Sequence, residues 1–134
     1  MSGIRNRPDY LNADELALTP INIATGKTLK TVTGTVSTDT DIVAAVASKR
    51  IKVVAFSLIS SSATANTITF QSNATDALWT VPLQSIADTM AGANLSVSPP
   101  SFLFATAAGE KLTLDVSVAV NITYSVTYFD DDAT

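Results

Sequence analysis

A chain of 134 residues fits one domain, and a domain of this size buries roughly 60% or more of the surface its unfolded form exposes. It has no cysteine and no histidine, which excludes a disulfide framework, a thiolate metal site, a thiol nucleophile and the usual general base. Charged residues make up 15% of the chain and the formal net charge is −4, so no basic surface for phosphate is expected and nucleic acid is not an expected partner.

The remaining catalytic possibilities, carboxylate, lysine or hydroxyl chemistry, each need a positioned partner group. No such pairing stands out, so neither an enzyme nor a cofactor is expected. Charge is unevenly spread. Residues 1–52 hold seven of the eight basic groups and five of the twelve acids, which leaves the rest of the chain strongly acidic.

Residues 1–10 contain Ile4, Arg5, Arg7, Pro8 and Tyr10 without alternation, the pattern of an extended arm that lies on a partner. No apolar run approaches the roughly 18 residues of a membrane span, and no apolar signal core follows Met1, so no membrane partner is expected and synthesis in the cytoplasm is. Asn12 and Glu15 have capping-box spacing, and Leu11, Leu16 and Leu18 give a short helix that must stop before Pro20. Residues 1–20 thus form the arm and helix, and residues 21–134 the domain proper.

Within the domain, Leu29 to Val36 reads as a strand in which Gly34 marks a bulge or a close approach. Asp39 and Asp41 lie two apart, but no Asp-x-Asp-x-Asp-Gly loop follows, so a turn is favoured over a calcium site. Lys49, Arg50 and Lys52 are the densest basic patch and a second candidate for partner binding. They lead into Val53-Val54-Ala55-Phe56-Ser57-Leu58-Ile59, whose apolar run predicts a central strand or one passing under a loop. Thr67 to Gln71 alternates cleanly. Trp79, Val81 and Leu83 share a face, which assigns the sole tryptophan to the core rather than to a stacked sugar, and Pro82 predicts an edge strand.

From Lys111 to Phe129, Leu112, Leu114, Val116 and Val118 alternate with hydroxyl and small residues, and Ile122, Tyr124, Val126 and Tyr128 repeat the pattern. A period of two puts an apolar row on one face and a hydroxyl row on the other, and the stretch reads as a β-hairpin. Asp130-Asp131-Asp132 should stay in water unless a basic partner meets them. About eight short strands with long connections predict an all-β fold, a two-sheet β-sandwich of jelly-roll topology.

Three segments carry a family resemblance: Ala47 to Val53, Thr67 to Asn73, and Phe104 to Leu114, followed by a last strand containing Thr123-Tyr124. In this order they resemble a group of small tailed-bacteriophage virion proteins of the capsid decoration (cement) type. In that group a "TFxSG"-like turn and a "TxxGExLxL" turn and strand recur, and Asn73 stands here at the position of the turn glycine. The resemblance implies a structural virion protein on the phage head surface. Its partners would be the major capsid protein and further copies of itself, as a homotrimer at local three-fold positions. A head-to-tail connector or tail component is the alternative, and a carbohydrate-binding β-sandwich a further one.

Overall fold

A computed structural model describes residues 27–86 and 89–132. The arm with Ile4, Arg5, Arg7 and Tyr10, and the short helix before Pro20, lie outside the described residues. Among the described residues there are nine strands and no helix: β1 (Lys30–Val36), β2 (Thr40–Val43), β3 (Lys49–Ser60), β4 (Asn66–Ser72), β5 (Asp76–Leu83), β6 (Ala91–Ser96), β7 (Phe104–Ala105), β8 (Leu112–Val116) and β9 (Ile122–Asp132).

All pairings are antiparallel. One sheet has the order β2-β8-β4-β5 and the other β1-β9-β3-β6, with β7 adding to β3 beyond the end of β6. Successive strands alternate between sheets through β1, β2 and β3, and the last strand returns to lie between the first and third. This is the jelly-roll order that the sequence pattern predicts.

Alternation builds the core directly. Leu112 and Leu114 of β8, Ile68 and Phe70 of β4, Leu58 of β3, and Ile122 and Val126 of β9 are fully buried between the sheets. Phe70 stacks at a tilt on Phe56 and on Phe104, with ring centroids 5.1 Å apart in both pairs. Trp79 closes this aromatic group at 5.9 Å from Phe104, so the tryptophan, partly buried, packs against the core.

Two local readings change. The expected hairpin is an arch: β8 pairs with β2 and β4, whereas β9 pairs with β1 and β3, so residues 117–121 cross from one sheet to the other. Asn66 fixes the crossing. Its Oδ1 accepts from Ser117 Oγ at 2.9 Å and from the Val118 amide at 3.1 Å. The apolar run in β3 has a second cause beside its central position. Thr127 faces Ala55 while Tyr128 faces Val53, leaving Val54 as a bulged extra residue and shifting the inward phase of the strand.

Pro82 does lie on an edge strand, β5. Gly34 answers to close approach, not to a bulge, because its ladder with β9 is unbroken.

Candidate functional site

Two regions stand out on the surface, and they differ in charge. The first is the end of the sandwich where β3 starts and β9 finishes. Because β9 runs antiparallel to β3, Asp130, Asp131 and Asp132 fall opposite Ile51, Arg50 and Lys49. Lys49 Nζ meets Asp132 Oδ1 and Lys52 Nζ meets Asp131 Oδ2, each at 2.7 Å. Lys27 Nζ reaches the other oxygen of Asp131 at 2.6 Å, and Lys30 Nζ pairs with Asp130 Oδ2 at 2.7 Å. Lys27, then Lys52, holds the Asp131 carboxyl far below the usual carboxylate range, and Lys49 holds Asp132 below it.

This end of the sandwich carries Lys49, Arg50 and Lys52, the densest basic patch of the sequence. Two of its three charges are answered within the chain, and Lys52 also lies 4.8 Å from the centre of the Phe102 ring. Among the described residues only Arg50 of the three is exposed and without an ion pair. The sequence signal for this pairing was the opposite charge of the two parts of the chain.

On the other sheet, Asp39 and Asp41 do not converge on a common point. Asp39 Oδ1 accepts from the Val116 amide at 2.9 Å, while Asp41 Oδ2 pairs with Lys111 Nζ at 2.9 Å. The lysine lowers the Asp41 pKa. Among the described residues no three acids, histidines or cysteines gather as a metal site.

The second region is the outer face of the β1-β9-β3-β6 sheet. The registers place residues in level rows across four strands: Thr31, Thr127, Ala55 and Ser96; Thr33, Ser125, Ser57 and Asn94; Thr35, Thr123, Ile59 and Gly92. None is charged. Thr31 and Thr127 hydroxyls lie 3.0 Å apart and those of Thr35 and Thr123 3.1 Å apart, so adjacent strands are linked by side-chain hydrogen bonds. Ala55 and Ser57 are small, and a shallow groove runs over them between Ser125 and Thr127 on one side and Asn94 and Ser96 on the other. The hydroxyl row was legible strand by strand. Its assembly into one uncharged face depends on registers that no single strand specifies.

The three segments of the resemblance meet at one corner. Ser72 of β4 donates to Glu110 Oε1 and accepts from the Ala107 amide, while Thr106 Oγ1 accepts from the Ile51 amide at the start of β3. They brace turns.

No family model matches the chain, and no curated protein matches it. Among solved structures, it is similar to the cryo-EM structure of the giant freshwater prawn Macrobrachium rosenbergii extra small virus (XSV) VLP, at 13% identity and a TM-score of 0.37, covering 96% of this chain and 89% of that one. A likeness this distant carries no argument about function.

Proposed function

We propose that the protein is a structural virion component of the tailed-phage decoration type, docking on the capsid shell through the outer face of β1, β9, β3 and β6. The observation that carries this reading is that face: twelve residues in three level rows, none of them charged. Interface cores are depleted in charged residues because desolvating a charge is costly, whereas hydroxyl and small side chains lose little and can re-form hydrogen bonds with a partner. The charged end suits the opposite role. Its acids and lysines pair with one another and leave it a largely solvated surface.

The resemblance over residues 47–129 supplies the partner class, the major capsid protein, and residues 1–10 supply a second contact. Arg5 and Arg7 carry guanidinium groups that pair bidentately with carboxylates on the shell. Quantitative mass spectrometry of purified heads tests the reading. Hundreds of copies per particle are expected; tens of copies would assign a connector, and absence from the particle would overturn a virion role. With shells in hand, Ser57→Arg on the face should abolish decoration, and deletion of residues 1–10 should weaken it at least tenfold without unfolding the domain.

A further inference from the structure

Among the described residues five strands form the edges of the two sheets, and four of them carry features that discourage pairing with another chain, the shortest being β7 with two residues. β5 contains Pro82 and faces a register shift at Phe70 and Gln71. β2 has four residues and a register shift at Ile42, near its end. β6 is built from Ala91, Gly92, Ala93 and Asn94 before Leu95 and Ser96, residue types that mostly disfavour strands, and Pro99-Pro100 follows closely.

β1 has none of these protections. Its seven residues, Lys-Thr-Val-Thr-Gly-Thr-Val, pair one for one with β9 without a bulge. Alternate backbone groups along its other side therefore form a straight row that no strand among the described residues meets. Five of the seven are β-branched, the class most favoured in strands. The single charge on β1, Lys30, is at its start and already paired with Asp130.

We propose that β1 is a self-association edge at which two copies of the chain pair antiparallel about a two-fold axis at Thr33, joining two five-stranded sheets into one of ten. In this register Thr31 faces Thr35 of the second copy, Val32 faces Gly34, and Lys30 faces Val36. Thr31, Thr33 and Thr35 of both copies stay on the outer face, and Val32, Gly34 and Val36 stay on the core side. A slip of one residue would set hydroxyls against the apolar face. No like charges meet, because each Lys30 lies at an opposite end of the seam. The pairing extends over about 24 Å of strand and makes the two uncharged faces continuous. It does not rest on the capsid reading, since it concerns the free protein.

The absence of cysteine makes the test clean. Facing residues of antiparallel strands have Cα atoms about 4.5–5.5 Å apart, within disulfide reach. In the full chain, Thr33→Cys under mild oxidation should give a covalent dimer on non-reducing electrophoresis, while Thr80→Cys, exposed on β5 of the other sheet, should not. Thr31→Lys with Thr35→Lys places lysine opposite lysine across the seam twice. It should raise the dimer dissociation constant at least tenfold in sedimentation analysis, with the strand signal in circular dichroism retained. A wild-type monomer at high micromolar concentration would overturn the proposal. So would a trimer, the stoichiometry the resemblance implies, or any oligomer indifferent to the two lysines.

Discussion

Ser72 donates its hydroxyl hydrogen to Glu110 Oε1 at 2.5 Å while accepting from the Ala107 amide at 3.0 Å. Ser72 is 1% exposed, so both contacts are shielded from competing water. Around them the Asn73 amide donates to the Lys111 carbonyl at 3.0 Å and the Gly109 amide to the Lys49 carbonyl at 2.8 Å. Gly109 sits at φ +72°, where a side chain would be strained. The corner therefore ties the ends of β3 and β4 to the turn before β8. Removing the serine hydroxyl leaves a carboxylate and an amide short of a partner. Ser72→Ala should cost about 1.5–3 kcal/mol in urea unfolding, and Ser72→Ala with Glu110→Ala should cost less than the sum of the single changes.

That corner also shows what was legible from sequence and what was not. The turn residues could be read locally. Asn73 stands at the position of the turn glycine, and it and Ala74 have φ values of 55° and 63°, the signs of a type I′ turn. The alternation of Leu112 to Val116 and Ile122 to Tyr128 correctly predicted two strands with inward apolar rows. It could not decide whether they pair with each other, because a hairpin and an arch have the same period. The deciding group, Asn66, lies about fifty residues earlier in the chain. The acidic tail is a similar case. Its lysine partners become visible only once β1 and β3 are placed on either side of β9.

Gly34 faces Tyr124 across the β1–β9 ladder, and the tyrosine ring lies over it. A Cβ at position 34 would come 2.8 Å from the tyrosine hydroxyl oxygen and 3.0 Å from Cζ. Tyr124 is 7% exposed and has little room to retreat. Gly34→Ala should destabilise by about 1–3 kcal/mol through overpacking, against its usual gain from a less flexible unfolded chain. Tyr124→Phe should recover part of the loss, but not all, because Cζ and Cε1 are also close. Thermal unfolding of the two single variants and the double variant measures this coupling.

The two faces of a strand should differ sharply in cost. Leu114 and Val126 are fully buried between the sheets, so Leu114→Ala should cost about 2–5 kcal/mol and Val126→Ala somewhat less. Thr127→Ala on the outer face should cost under about 1 kcal/mol, the value of one exposed hydroxyl pair. Thr113 breaks the simple rule. Although it points outward, it is 2% exposed and donates to Asp41 Oδ1 at 3.3 Å, so Thr113→Ala should cost more than Thr127→Ala. Equal costs for the two threonines in denaturant titrations would remove this distinction.

Two groups of carboxylates have pH dependences of opposite sign. Asp131, Asp132 and Asp41 have pKa values lowered by paired lysines. Their contribution is therefore present above the ordinary carboxylate value of about 3.9 and is lost as pH falls through the lower folded values. Asp115 is the reverse: partial burial, then the neighbouring Asp39 carboxylate, raises its pKa. Its folded state binds the proton more readily than its unfolded state, so stability rises as pH drops from neutrality towards about 3.9. Asp115 thus favours mild acid over neutrality, whereas Asp131, Asp132 and Asp41 lose their contribution below the ordinary carboxylate value. Asp115→Asn should raise the urea midpoint at pH 7 and flatten the curve between neutrality and mild acid. Asp131→Asn should leave that region alone and blunt the fall below about pH 4, an effect that weakens in high salt because the pairs are partly exposed. Urea midpoints measured across pH 3 to 8 for the wild type and Asp115→Asn decide it: equal midpoints at pH 7 would show that the Asp115 charge costs nothing in the folded state.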